Sequence, residues 1–570
     1  MHLQQPPSAP ANTAPKLLLD YVYDHESQRS SQIYLTQPIG NQQVVDYTWA
    51  QTMNQARCMA TYLKAQGFPA GARIAILSKN CAHFIFAELA IWMAGGSTVA
   101  IFPTETAETV RFVLEHSGAS LLFVGKLDTW DRQAAGVPAG LPCVAFPLAP
   151  PSTLATWDDI IRRTPPLTGT VHRAPDDVAI LMYTSGSTGE PKGVVHNFAR
   201  ATAASVGLAS HFTQGLDKYT EIRTVSYLPL AHIFERAGVE CLSLVDGRCH
   251  LYFCDTTSTF VEDLQRARPQ LFASVPRLWL KFQQGVFARI NPNRLEFLLH
   301  IPLLGRLLAH KVLKGLGLDQ VLVAISGSAP IAPELIAWYR HLGLNLLEGY
   351  AMTEDFAYSH VSTAQCNAPG AVGIPFPGVQ VRIGDDGEIL IKSPGQMVGY
   401  YRHEDLNAEA FTPDGFFRTG DKGERAPNGL LRITGRVKEL FKTAKGKYIA
   451  PAPIENRLHN HPLIEMSLVT GVGQAAACAL VVLSENTRPR VGEAQVRAQV
   501  QSDLTALLRQ VNSELADYER LQMLVVVPEP WTVDNGLLTP TLKVRRSRIE
   551  ALIAPNIDAW YASGQAVCWA

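Results

Sequence analysis

Runs of four or five consecutive, mostly aliphatic residues recur through the first two thirds of the chain, at 73–77, 98–101, 121–124, 178–182 and 321–325. Such runs suit strands covered on both faces. The helical patterns between them predict an α/β fold whose sheets are largely parallel. Thr48 and Gln51 have the spacing of a capping box and predict the start of a helix over 49–63. Residues 84–102 form the longest apolar stretch, but Glu88, Gly95, Gly96 and Ser97 interrupt it. It reads as a buried helix running into a strand, not as a membrane span. Residues 137–166 are dense in proline and read as a surface crossing. From about Gly373 the texture changes: Gly, Asp and Pro turns separate short alternating runs at 379–383 and 388–391, predicting a small β-rich subdomain over about 373–436. Strand-like runs at 467–469, 479–483 and 524–527, with a helical segment over 493–515, then predict a separate α+β domain over 437–570. The large domain is expected over 17–436. Residues 1–16 read as a disordered tail, without the basic start and apolar stretch of a signal peptide.

Composition narrows the function classes. A chain of 570 residues exceeds one ordinary core, in keeping with this division. Apolar content of 47% and charged content of 18% suit a soluble globular enzyme. A formal net charge of −1 gives no global field to hold nucleic acid, so no nucleic-acid partner is expected. The nine cysteines are scattered and form no Cys-x-x-Cys pair; Cys249, His250 and Cys254 lie in an apolar run and read as core. A reducing, cytoplasmic location is the natural expectation.

The segment 183–193, Tyr-Thr-Ser-Gly-Ser-Thr-Gly-Glu-Pro-Lys-Gly, follows a strand run and precedes a helical stretch expected to begin near His196. Gly186, Gly189 and Gly193 let backbone approach an anion, Thr184, Ser185, Ser187 and Thr188 supply hydroxyl donors, and Lys192 supplies charge. That set suits a nucleotide triphosphate. It is not a Walker loop, because Gly193 follows the lysine where Ser or Thr would be needed.

This loop resembles the phosphate loop of the adenylate-forming superfamily, which includes acyl-CoA synthetases, peptide-synthetase adenylation domains and luciferases. Further motifs follow in the family's order. Residues 226–236 contain His232, whose counterpart lines the acyl pocket; a core histidine is the plainer reading of that residue alone. Gly327, Ser328 and Ala329 resemble the segment that packs on adenine. Glu348, Gly349, Tyr350, Thr353 and Glu354 resemble the next motif, in which the tyrosine stacks on adenine, the threonine meets phosphate and the glutamate, with Thr184, helps hold Mg²⁺. The family usually has glycine where this chain has Ala351, which bears on the size of the pocket. Asp421 would bind the ribose hydroxyls as a two-oxygen acceptor. Arg436 would contact the ribose, Lys438 falls at the hinge position, Gly446 matches the residue lining the pantetheine tunnel, and Lys543 matches the lysine that enters the site during adenylation. The implied catalytic set is Lys543, Thr353, Glu354 and His232, with ATP, Mg²⁺ and coenzyme A as cosubstrates or cofactors.

Residues 275–279, 441–451 and 539–543 resemble acyl-CoA synthetases of the medium- or long-chain type. The resemblance implies a ligase that adenylates a carboxylic acid and passes the acyl group to coenzyme A. Activation of an aryl acid, transfer to a carrier protein, or a catalytically silent nucleotide- or acyl-binding protein are the alternatives. One further segment, 303–314, carries Leu304, Leu307, Leu308 and Val312 on one face and Arg306, His310 and Lys314 on another. Core packing with a basic outer face is the commoner explanation of that pattern. Peripheral contact with the inner membrane face is the alternative.

Overall fold

The computed structural model describes residues 15–185, 190–363, 365–368, 370–539 and 542–570. Two large sheets organise the first part of the chain. One has eight strands, in the order Gly399–Tyr400, Pro191–Asn197, Val178–Ser185, Ser97–Ile101, Arg73–Leu77, Leu121–Val124, Cys143–Ala145 and Ala155–Thr156. Its strands from Val178–Ser185 onward are parallel, whereas Pro191–Asn197 and Gly399–Tyr400 add an antiparallel edge. The other has nine strands, with a parallel centre running Leu346–Tyr350, Val323–Ser326, Leu271–Ser274, Ile222–Ser226, Cys249–Phe253 and Ile33–Pro38. The wholly apolar runs became central strands, as parallel sheets covered on both faces require.

The helix Ala82–Met93 lies between the two sheets and all of its residues are buried. This accounts for its apolarity on every side. Its one acid, Glu88, meets Arg236 at 2.5 Å, both side chains being sealed from solvent. The helix Trp49–Ala65 begins at the expected capping box, with Gln51 N–H donating to Thr48 Oγ1 at 3.2 Å and Thr48 N–H donating to Gln51 Oε1 at 2.8 Å. A four-stranded antiparallel sheet, Gln380–Ile383, Glu388–Lys392, Phe417–Arg425 and Leu431–Arg436, follows. The last part carries its own sheet, ordered Ile464–Thr470, Ala477–Leu483, Leu521–Val526 and Val567–Trp569, packed against the helix Ala494–Ser513.

Three expectations need correction. The helix after the glycine-rich loop begins at Phe198, not near His196, because Pro191–Asn197 is a strand that pairs back on Val178–Ser185. Residues 137–166 are not a plain surface crossing: the strands Cys143–Ala145 and Ala155–Thr156 extend the eight-stranded sheet and Trp157–Arg163 is a helix with Trp157 buried. In the helix Leu304–Leu316 the buried residues are Gly305, Ala309 and Leu313, whereas Leu304 and Leu307 are exposed. Small residues bring that helix close to its neighbours and turn the larger leucines outward.

The apolar clusters of the described residues fall on one side or the other of the short turn Val437–Glu439, and none draws from both sides. Polar contacts join the two parts. Glu465, which also accepts from Arg488 of its own part, accepts from Arg277 at 2.5 Å, and Asn460 donates to Glu334 at 3.2 Å. Arg277 is about half exposed, so solvent screens its pair. Replacing Arg277 by Gln should raise the rate of limited tryptic cleavage around 436–447 by about two- to fivefold, the effect that an exposed pair of up to ~1 kcal/mol can have. The melting temperature of the large part should not move. An unchanged cleavage rate would show that the pair does not hold the two parts together.

Candidate active site

Strand ends and the turns after them bring the site residues together. Thr184 and Lys192 are direct cross-strand partners at the mouth of the hairpin Val178–Ser185/Pro191–Asn197. Antiparallel pairing therefore sets the hydroxyl-bearing and ammonium-bearing residues side by side before the chain turns. Gly186, Ser187, Thr188 and Gly189 lie outside the described residues, and the Ser185 backbone stands opposite Pro191.

In the nine-stranded sheet, Val323–Ser326 and Leu346–Tyr350 run parallel in register, Ser326 beside Glu348. Gly327–Ala329 and Ala351–Glu354 consequently leave the sheet at the same edge. The carboxyl ends of parallel strands are where α/β sheets bind ligands. A Cβ on Gly327 would come within 3.3 Å of the Phe234 ring, so the smallness demanded there is set in part by protein packing. Ser328 has φ of +70° and Phe356 and Ala357 have φ of +54° and +56°, three left-handed non-glycine residues in the two turns of this edge. Such backbone conformations cost free energy and concentrate at functional sites. Gly349 has no such constraint; a Cβ there would meet ordinary contacts. Glu348 is buried with one oxygen unpartnered among the described residues, and burial pushes its carboxyl up to about 7.

Glu354 lies in the short turn Thr353–Asp355, whose position is fixed from two sides. The Thr353 carbonyl is held by His196 Nε2 at 2.8 Å, and Met397 N–H donates to the Glu354 carbonyl at 2.6 Å. The Tyr400 hydroxyl donates to Glu354 Oε1 at 2.9 Å, and Lys192 Nζ lies 5.5 Å from the centre of the Tyr400 ring. Tyr400 thus touches both the glutamate and the lysine. The sequence reading missed it, because its only local context is a Gly-Tyr-Tyr run; the signal is its pairing with Val194 in the sheet.

Asp421 and Arg436 face each other across the antiparallel pair Phe417–Arg425/Leu431–Arg436. Arg436 Nε donates to Asp421 Oδ1 and the Tyr350 hydroxyl donates to Oδ2, both at 2.7 Å. Each oxygen has one lone pair engaged and a second left to accept from a ligand. The bond to Asp421 also fixes the Tyr350 ring. The Asp421 charge raises the pKa of Arg436 further, so the guanidinium stays charged.

His232 caps the turn that follows it, its Nδ1 accepting from Phe234 N–H at 3.2 Å. Arg236, four residues on, anchors the same turn by donating to the Leu230 carbonyl at 2.9 Å. Burial, and then the nearby Lys543 charge, lower the His232 pKa to about 3. The imidazole is therefore neutral at physiological pH, and with Nδ1 accepting, the proton is on Nε2.

Lys543 comes from the last part of the chain. Thr539 and Lys543 are bonded to each other twice, Thr539 N–H donating to the Lys543 carbonyl at 2.8 Å and Lys543 N–H to Thr539 Oγ1 at 3.0 Å, with Leu542 left-handed at φ +60°. This pairing sets the ammonium in the field of Arg436, Asp421, Glu354 and Glu439. The side chain keeps solvent access through the cleft, yet surrounding protein and then Arg436 lower its pKa. Two residues of the expected set are elsewhere. Lys438 is exposed on the turn Val437–Glu439, and Gly446 occupies the exposed tip of the hairpin Phe441–Lys442/Tyr448–Ile449, at φ +76° with Lys442 as its near neighbour.

The cleft therefore gathers three cations, Lys192, Arg436 and Lys543, around two carboxylates, Glu354 and Asp421. Glu354 is a hard oxygen donor of the kind that Mg²⁺ takes, and one such carboxylate is enough when the remaining ligands are phosphate oxygens and water. Among the described residues no cluster of three or more His, Cys, Asp or Glu could hold a metal by itself.

Residues 26–401 match the family model described as AMP-binding enzyme, and 439–565 match that of the AMP-binding enzyme C-terminal domain. The chain is 31% identical over 561 residues to the long-chain-fatty-acid–CoA ligase FadD15 of Mycobacterium bovis, covering 90% of this chain and 92% of that one. It is 27% identical to long-chain-fatty-acid–CoA ligase 1 of Homo sapiens, covering 91% and 83% of the two chains. Among solved structures, the A domain of a carboxylic acid reductase from Segniliparus rugosus superposes with a TM-score of 0.79 at 21% identity, over 96% of this chain and 94% of that one. At that identity the likeness carries the fold alone.

The electrostatics of Lys543 can be measured directly. With the nitrogen of lysine labelled, Lys543 should titrate below the ordinary value of 10.5. Arg436→Gln should move its titration upward, because the substitution removes a neighbouring cation and frees Asp421 to pair with the lysine. Titration at the ordinary lysine value in both proteins would contradict the placement of Lys543 beside Arg436.

Proposed function

Because this chain belongs to the AMP-binding enzyme family, we propose that it is an acyl-CoA synthetase: it adenylates a medium- or long-chain fatty acid with ATP and transfers the acyl group to coenzyme A, releasing pyrophosphate and AMP. The arrival of Lys543 beside Asp421, Arg436, Glu354 and His232 is the observation that carries this reading. It supports an arrangement competent for the first half-reaction.

In that half-reaction an acyl carboxylate oxygen attacks the α-phosphorus and pyrophosphate leaves in line. Little covalent work falls to the protein; positioning and neutralisation of phosphoryl charge are what it supplies. Asp421 accepts from the ribose hydroxyls while Tyr350, held by its own hydroxyl, offers a fixed face to adenine. Lys192 and Thr184, with the loop between them, meet the phosphates. Lys543 neutralises charge between the carboxylate and the α-phosphate. His232, uncharged and with its proton on Nε2, donates to the carboxylate oxygen without adding a cation. Mg²⁺, held by Glu354 and Thr184 when bound, would neutralise phosphate oxygens and draw charge from the leaving group.

For the second half-reaction the region 437–570 rotates about Lys438 as a mobile lid on the large domain 17–436. The rotation withdraws Lys543 and brings Gly446 to the cleft to border the pantetheine path. The thiol of coenzyme A then attacks the acyl carbonyl, and the carbonyl–AMP bond breaks. A cytoplasmic enzyme with access to membrane-derived acids fits this chemistry; none of the described helices is long and apolar enough to cross a membrane.

Lys543→Ala should lower acyl-adenylate formation by about 10²- to 10³-fold, as for other lost electrostatic groups, and spare thioester formation from supplied acyl-adenylate. Equal losses in both half-reactions would refute the role given to Lys543. Lys438→Pro should leave acid-dependent pyrophosphate exchange within about twofold of the parent while coenzyme A consumption falls at least tenfold. Normal overall turnover in that variant would overturn the hinge. A panel of fatty and aryl acids scored for AMP release, with coenzyme A or a carrier protein as acceptor, fixes the substrate class.

A further inference from the structure

The three most exposed large apolar side chains of the described residues stand together at one place: Leu303 is 74% exposed, Leu307 71% and Phe297 69%. Leu304, about half exposed, lies between them. All four belong to a hairpin of two helices, Pro292–Leu299 and Leu304–Leu316. Packing does not explain their exposure as a leftover. The second helix buries Gly305, Ala309 and Leu313, and the first buries Leu295, so each has an inward face of its own. A Cβ on Gly305 would lie 2.2 Å from the Leu299 carbonyl oxygen, which fixes how closely the hairpin closes. Leu303 connects the helices at φ +65°, a left-handed conformation that costs free energy for a leucine and here leaves its side chain at the exposed tip.

The charges around this tip are predominantly positive. Between 289 and 316 the chain has Arg289, Arg294, Arg306, Lys311 and Lys314, all exposed, and Glu296 as its single acid, whereas the whole chain has a formal net charge of −1. None of these five cations forms an ion pair among the described residues. An apolar tip ringed by unpaired basic side chains is the pattern that binds a bilayer interface, where the leucines enter the acyl boundary and the cations meet anionic headgroups. A protein partner of ordinary affinity would need a larger area, with fewer charges at its centre.

We propose that the hairpin over 292–316 docks this protein reversibly on an anionic lipid surface. The inference extends the proposed function, since long-chain acids reside in membranes, but it is read by binding and not by turnover. Failure of the docking and failure of the ligase reading are therefore separate results.

The test uses the purified full-length chain and vesicles of phosphatidylcholine with and without phosphatidylglycerol, at low salt. The protein should co-sediment with the anionic vesicles and be released as salt rises. Leu303→Ser with Leu307→Ser should lower partitioning at least about tenfold, through lost apolar burial. Arg306→Glu with Lys311→Glu should lower it by a similar factor on anionic vesicles only. Leu552→Ser, at another exposed leucine in the last part of the chain, should bind like the parent. Unchanged melting temperatures and unchanged AMP release with a water-soluble short-chain acid show that the variants are folded. The proposal is overturned if the parent does not bind anionic vesicles. It is also overturned if the Leu303/Leu307 variant binds as well as the parent, or if Leu552→Ser loses as much. A concentration-dependent dimer abolished by the Leu303/Leu307 substitutions would assign the tip to a second copy of the chain instead.

Discussion

The Asp421 carboxylate accepts from Tyr350 on one oxygen and from Arg436 on the other, and the Lys543 ammonium lies in the field of Asp421 and Arg436. Those partners come from different parts of the fold: Tyr350 ends a strand of the nine-stranded sheet, Arg436 ends the antiparallel subdomain sheet, and Lys543 belongs to the last part. A carboxylate can join them because it is acceptor-only and two-pronged. Replace it by a neutral amide and one oxygen becomes a donor facing another donor. The cleft would then lose the fixed Tyr350–Asp421–Arg436 geometry and one of the two negative charges set among its three cations.

Burial sorts the remaining titratable groups. His232 and His196 are held neutral, with pKa values lowered to about 3 and about 4. Asp355 is raised to about 8 by burial and so keeps its proton at neutral pH, while its Oδ1 accepts from Met352 N–H and shapes the turn that carries Glu354. Charge in the cleft is thus carried mainly by Lys192, Glu354, Asp421, Arg436 and Lys543, with Glu439 close by. An isolated buried charge would be costly. These five partly offset one another and all but the buried Asp421 keep solvent access, so the cleft is prepared for a polyanion without a large penalty in its absence.

The parts of the fold legible in the sequence are those whose physics is local. Strands buried on both faces are apolar throughout, so 73–77 and 121–124 could be read to the residue. The capping box at Thr48 needed only two side chains and their spacing. What escaped depended on partners far away in the chain. Pro191–Asn197 begins with proline and contains lysine, glycine, histidine and asparagine; it is a strand because Val178–Ser185 and Gly399–Tyr400 flank it. Tyr400 became a site residue through the same pairing. In the helix over 304–316 the basic residues face outward as read, but Leu304 and Leu307 do not face the core, because periodicity ranks leucine above glycine and alanine, whereas close approach of helices favours the small residues. The motif residues around Asp421, Tyr350 and Lys543 were identified through their resemblance to a family, not through any local pattern that would announce a shared cleft.

The two parts of the chain keep separate apolar cores and meet through polar contacts at Arg277–Glu465 and Glu334–Asn460. Exposed pairs of this kind contribute at most about 1 kcal/mol each. A lid joined by a large apolar interface would stay shut, because its burial would exceed anything a single ligand could offset. In the cleft the Lys543 ammonium is repelled by Arg436 and attracted by Asp421 and Glu354 and, on the proposed function, by the phosphates of ATP. On the same proposal, departure of pyrophosphate removes most of the negative charge that Lys543 faces, while Arg436 goes on repelling it. On that reading the balance tips toward release at the moment the first half-reaction ends. Weak contacts elsewhere would then let a change of charge at one lysine decide the position of the proposed lid.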